Sequence, residues 1–229
     1  MFSADQLLDF GQSDHSALFS QSEPAWLALP NIGKYIDAFL SGQTSLLCGD
    51  IHQTAIIGDR VFIAEDAVVE AHAVIKGPAI IGAGTSVRSS AYLRENVIAG
   101  DGCVMGNSSE FKNCLLFNNC EVPHFNYVGD SILGYKAHLG AGVICSNVRL
   151  DRRPIRVREN QGAEWVETGL RKFGAIIGDR TEIGCNSVLS PGSILSRDCI
   201  LHPCTHWNGV LGKNQIVKNL VECEVTDRG

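Results

Sequence analysis

Long hydrophobic runs, paired cysteines and blocks of positive charge are all missing from this 229-residue chain. No stretch approaches the ~20 apolar residues that a bilayer-spanning helix requires. The opening MFSADQLLDF holds no basic region ahead of an apolar one, so no secretory leader is expected. The nine cysteines form no CxxC pair. An odd, scattered set reads as small buried residues of a reducing compartment, not as a disulfide frame or a zinc site. A net charge of −6 without a basic block argues against a nucleic-acid partner. Together these absences predict a cytoplasmic protein that neither enters a membrane nor binds nucleic acid. At 45% hydrophobic and 19% charged residues, the chain is nevertheless apolar enough to bury one large core and a small appendage.

What is present is a rhythm of six. Apolar residues recur at Ile51, Ile57, Ile63, Val69, Ile75, Ile81, Val87, Leu93, Ala99, Met105 and Phe111. A five-residue step leads to Leu116, Val122 and Val128, and another to Leu133, Leu139 and Cys145. The register resumes at Ile177, Ile183, Leu189, Leu195, Leu201 and Trp207. No helix has that period, and an ordinary two-sided strand does not hold it so long. It is the signature of an all-β fold, a left-handed parallel β-helix built as a hexapeptide-repeat prism. Three hexads make one coil, and neighbouring coils lie ~4.8 Å apart.

Three segments fall outside the rhythm. Residues 1–45 read as a helical cap over one end of the prism. Ser3 and Gln6 are spaced as a capping box, and a second helix led by Pro30 stops at Gly42. The prism itself spans 46–212, interrupted at 149–173 by a stretch whose ENQG centre predicts a hairpin standing off one corner. The pattern ends after Asn208, and 213–229 is expected as a tail.

Because a repeat fixes where side chains point, polar residues can be placed by counting. Arg94 and Lys112 follow Leu93 and Phe111, one coil apart, and two stacked cations are costly without an anion between them. Solvated surface charge is the alternative. Tyr127 falls one coil above Glu110, and Ala141 one coil above His124. The prediction is that a carboxylate, two cations, a phenol and an imidazole converge on one edge, where His124 can act as a base. A lone histidine would more commonly be structural. The Gly140–Ala141–Gly142 turn would let a ligand lie against backbone, although a tight corner also wants small residues. Lys172 closes the hairpin. His202 and His206 have H-x3-H spacing but no evident third ligand, and His52 and His72 have no constellation.

The run GNSSEFKN…VPHFNYVGDSILG…LGAGVICSN…TGLRKFGAIIGD resembles the acetyltransferase domain of bifunctional sugar-1-phosphate nucleotidylyltransferase/aminosugar-1-phosphate acetyltransferases, over roughly residues 55 to 210. The resemblance implies transfer of an acetyl group from acetyl-CoA to the amino group of an aminosugar-1-phosphate, without a metal. His124 would be the general base, with Glu110 orienting its neighbours. Arg94, Lys112, Tyr127 and Lys172 would hold the sugar phosphate, and His138 stands where bacterial members have an Asn that touches the sugar. Ala141, Asn147 and Cys185 would line the acetyl-CoA groove. Family members are homotrimers with sites between subunits. The nucleotidylyltransferase domain is absent from this sequence, which makes a separate nucleotidylyltransferase a conceivable partner. Rival readings are O-acetylation of another sugar or small hydroxyl acceptor, a non-catalytic trimeric partner, and a metal-dependent prism enzyme.

Overall fold

Each hexad supplies a short extended stretch and a turn, and at the turn the backbone leaves the extended region. In the computed structural model, which describes residues 2–43, 46–219 and 224–228, a residue with φ near +60° stands at most of these turns. Asp66, Asn96, Asn113, Asn119, Asp130, Asn186, Asp198 and Asn214 are among them. Asn and Asp carry this conformation at lower cost than other side chains.

The chain thereby winds into a left-handed parallel β-helix of three sheets, with nine, eight and eight strands. The first face begins with Asp50–Ile51, the second with Ile56–Ile57 and the third with Val61–Ile63. Every inward position read from the hexads between Ile63 and Leu201 is buried in one continuous core. Ile51, Ile57 and Trp207 pack against that core at its two ends. The two five-residue steps shorten two successive coils, so Glu110 pairs with Tyr127 and Tyr127 with Ile144. Across the insertion Ile144 pairs with Val188, so the added chain leaves the register intact.

The N-terminal segment departs from expectation. It covers the third face along its length and does not close an end. The strands of that face carry apolar residues outward as well as inward, and Ile80, Ile98, Leu115, Ile132, Ile176 and Ile194 are all buried there. Trp26, Leu29, Ile32 and Ile36 pack onto them. An uncovered row of this kind would leave several side chains exposed, each worth ~1.5–3 kcal/mol when buried. The first helix is a single turn, Ala4–Leu7, and Ser3 makes no side-chain cap, so the capping box is not formed. Pro30 lies in a 3-10 segment, Ala25–Asn31, that runs into helix Ile32–Ser41, with Gly42 at its end.

The insertion also differs from a hairpin standing clear of the prism. Arg156–Val157 pairs antiparallel with Val166–Glu167, but Ile155, Val157 and Phe173 are buried in the same apolar layer as the N-terminal segment. At the other end, the repeat runs past Asn208. Val210–Leu211 adds to the third face and Ile216–Val217 to the first, within the stretch expected as tail. A four-residue step from Trp207 to Leu211 hides this continuation. Residues 220–223 and 229 of the expected tail lie outside the described residues.

His15 ties the N-terminal segment together. Its Nδ1 lies 3.0 Å from the Tyr35 hydroxyl, and its ring stands edge-on to Tyr35 and Phe39. Burial lowers its pKa below the ordinary 6.5, against the opposing pull of Asp14 and Asp101. The folded state therefore favours neutral imidazole. That contribution is complete above 6.5 and is lost as pH falls through the window beneath it. Tm should fall more between about pH 7.5 and about pH 5.5 in the wild type than in His15→Gln. Equal falls would remove His15 from the account.

Candidate functional site

The register places the sequence-derived residues other than His138 on one face and its two bordering corners. Arg94 and Lys112 do stack on adjacent coils of the second face, since Leu93 pairs with Phe111. Tyr127 lies directly above Glu110, as counted. His124 ends a first-face strand beside Asn107, and its carbonyl accepts from the Gly142 N–H at 3.0 Å, one coil on.

These residues do not meet at a single edge. Glu110 and Lys112 lie in one short strand, Glu110–Lys112, with inward Phe111 between them, and do not straddle a corner. His124, Ala141 and Cys185 occupy the corner between the first and second faces. Arg94, Lys112, Asn147 and the root of the insertion, with exposed Lys172, occupy the corner between the second and third. His138 is on the first face, its Nδ1 2.7 Å from Glu182. His206 bonds Ser190 at 2.9 Å and His52 bonds Thr54 at 3.0 Å. Among the described residues no group of His, Cys, Asp and Glu could hold a metal ion.

At the second corner the two cations are met by three carboxylates. Arg94 contacts Glu110 at 3.1 Å and Glu95 at 3.6 Å. Lys112 contacts Asp130 at 3.4 Å and Glu95 at 3.8 Å. The anion that two stacked cations demand is thus the Glu95 side chain, which reaches both. Asp130 is buried, and it accepts from Asn113 at 3.0 Å and from Asn147 at 2.5 Å. Neither Glu95 nor Asp130 stands out in the sequence. The two five-residue steps that shorten this corner were the available signal, because they draw Asn113 and Asp130 onto adjacent turns.

Tyr127 bridges the face. Its ring leans over Gly129, where an added Cβ would fall 2.5 Å from the phenol oxygen. Burial raises its pKa, helped by Glu110 and Asp130 and opposed by Arg94 and the Asn147 amide. Any side chain at position 129 would push the phenol away from this polar group.

The first corner is built differently. The His124 N–H donates to the Asn126 Oδ1 at 3.0 Å, and Asn126 in turn donates to the Gly140 carbonyl at 2.8 Å. His124 is exposed, and next to it Phe125 adopts φ +53° with 62% of its surface exposed. A bulky residue in that region costs about 1–2 kcal/mol, and the strained turn holds His124 outward. Below it, Gly106 has no room for a side chain: an added Cβ would lie 1.7 Å from the Pro123 carbonyl oxygen. One coil on, the Ala141 N–H makes no hydrogen bond among the described residues. An exposed imidazole, a free amide N–H and a lane of small residues therefore share one corner.

Residues 75–160 match a family model described as the GMPPB C-terminal domain. A bifunctional sugar-1-phosphate nucleotidylyltransferase/acetyltransferase of Sulfurisphaera tokodaii is 31% identical over 98 residues, 43% of this chain and 24% of that protein. The bifunctional protein GlmU of Methanococcus aeolicus is 34% identical over 102 residues, 44% of this chain and 22% of that protein. The putative uncharacterized acetyltransferase YaiX of Escherichia coli K12 is 39% identical over 77 residues, 34% of this chain and 33% of that protein. The alignments thus span 22–33% of these relatives. Parallel solenoid, six-residue register and matched segment fit a hexapeptide-repeat acetyltransferase domain.

Proposed function

We propose that the chain transfers an acetyl group from acetyl-CoA to the amino group of an aminosugar-1-phosphate, with His124 as general base. The observation that carries this reading is the first corner. The exposed His124 would remove the amine proton, and the Ala141 N–H beside it, unpaired among the described residues, suits the oxyanion of the tetrahedral intermediate. The thioester would lie along the small-residue lane toward Cys185. Both substrates held in one groove gain further from proximity.

Arg94, Lys112, Tyr127 and Lys172 are the proposed contacts to the sugar phosphate, Glu110 the residue that orients them, His138 a further sugar contact, and Asn147 a lining residue of the cofactor groove. Arg94 and Lys112 are already met by Glu95, Glu110 and Asp130, so a phosphate dianion needs positive charge beyond theirs and that of Lys172. A neighbouring subunit would supply it, which fits a closed trimer. The third face is already covered, whereas the first two expose Ile56, Val68, Phe125, Val188 and Ile200. Nothing in this chemistry requires a metal. No helix among the described residues is long and apolar enough to cross a membrane, and a cytoplasmic setting is part of the proposal. A separate nucleotidylyltransferase is the partner the product implies.

The pairing of Arg94 and Lys112 with carboxylates of this chain favours, as a second reading, an uncharged hydroxyl acceptor and O-acetylation. Release of free thiol from acetyl-CoA separates the two. Turnover with glucosamine-1-phosphate well above that with unphosphorylated glucosamine is expected. Equal turnover, or preference for a neutral sugar, would transfer the assignment to the second reading.

A further inference from the structure

The inserted segment is the basic part of an acidic protein. From residue 149 to 172 it holds seven Arg and Lys against four Asp and Glu, in a chain of net charge −6. The reading that the chain lacks a basic block is true only of its average. The guanidinium groups are also ordered. Arg149 is held bidentate by Asp151, at 2.8 and 2.6 Å. Arg156 and Arg158 lie 4.5 and 4.4 Å from the centre of the Trp165 ring. The Arg153 N–H donates to the Asp151 Oδ1 at 3.2 Å, while its guanidinium makes no hydrogen bond or ion pair among the described residues.

Two adjoining concavities share Arg149 and Arg156 as a wall. The smaller, about 180 Å³, brings Arg153 to join them, with Glu167 as its one carboxylate. Asp151 neutralises Arg149 and Glu167 offsets a second cation, so the space keeps a positive excess that an anion would relieve. The larger, about 370 Å³, lies between the insertion and the prism at Ser190, Pro191 and Asn208. It adds Trp165, 45% exposed, and a fully exposed Leu150. Its size is within the range of small-molecule sites. A free phosphate would need only the cations. Flat aromatic, guanidinium and aliphatic surfaces beside them suit a base that stacks.

We infer that the insertion binds an adenine nucleotide carrying phosphates at two positions. Given the proposed acetyl-CoA dependence, on which this identification rests, the occupant is the 3′-phosphorylated ADP end of coenzyme A. The phosphates take Arg149, Arg153 and Arg156, and the adenine lies against the Leu150 and Trp165 side.

Adenosine 3′,5′-bisphosphate is the probe, titrated into the full chain by calorimetry and by Trp165 fluorescence. It should bind at micromolar to millimolar concentration, more tightly than ADP, and adenosine should not bind measurably. Loss of two charge-assisted contacts in Arg153→Ala/Arg156→Ala should weaken binding at least about thirtyfold. Arg153→Gln, at an exposed side chain without partners among the described residues and with its backbone bond to Asp151 kept, should weaken it about tenfold with Tm unchanged. Absence of binding to the wild type, or unchanged binding by both variants, would overturn the site. Bisphosphate binding without thiol release for any aminosugar phosphate would support the site and count only against the acetyl-transfer reading. Active transfer with an unaltered acetyl-CoA KM in both variants would sink the site and leave the reaction standing.

Discussion

Replacing His124 by alanine should lower kcat by ~10²–10⁴-fold, the usual contribution of a positioned general base. An interaction made only in the transition state lowers kcat/KM by a similar factor. Stability should not follow. The imidazole is exposed and makes no hydrogen bond among the described residues, whereas the backbone contacts to Asn126 and Gly142 survive the substitution. A change within about 0.5 kcal/mol is therefore expected. The competing base is His138, which is oriented by Glu182 at 2.7 Å. Its pairing resembles the base-and-orienter arrangement of many hydrolytic and transfer enzymes more than His124 does. Steady-state kinetics of His124→Ala and His138→Gln, measured together, decide between them. Near-normal turnover of the first with collapse of the second would move the chemistry onto the first face.

The legibility of this chain in its sequence is uneven, and the reason is geometric. Inward positions repeat at fixed spacing, so the core could be written down by counting from Ile63 to Leu201. The same counting put Tyr127 over Glu110 and Ala141 near His124. Counting locates Cα positions along the coil but not the length of each flat face. Lys112 therefore belongs to the second corner and His124 to the first, although they are twelve residues apart in a chain with turns every six. Partners contributed by the turns themselves were harder to see. Glu95 and Asp130 follow no motif, and they matter because the shortened turns bring them against Lys112. The apolar triplets Ala79–Ile81, Val97–Ala99, Cys114–Leu116 and Ala175–Ile177 recur on one face only. That recurrence marks a face that must be covered. It was the available sign that the N-terminal segment lies along the prism.

Asp130→Asn should be the more damaging change to stability, about 3–5 kcal/mol. The carboxylate is 5% exposed, and its partner Lys112 is 12% exposed. Removing the charge leaves the ammonium with only Glu95, at 3.8 Å. It also turns an amide N–H₂ toward one of the Asn113 and Asn147 amides, both of which now donate to a carboxylate oxygen. Asparagine tolerates the φ of +48° at this position, so the loss reports charge and hydrogen bonding and not backbone strain. The Asp130 carbonyl accepts from the Gly174 N–H at 2.8 Å, where the chain returns from the insertion. Loosening should therefore begin at the root of the hairpin. For a chain of this size the loss corresponds to a fall in Tm of roughly 6–20 °C. Lys112→Met placed in the same background removes the stranded cation and should recover at least half of that fall, because a buried pair replaced by apolar groups costs far less than a broken one. A Tm for Asp130→Asn within about 2 °C of wild type would show that Lys112 is not dependent on Asp130, leaving it free for an external anion.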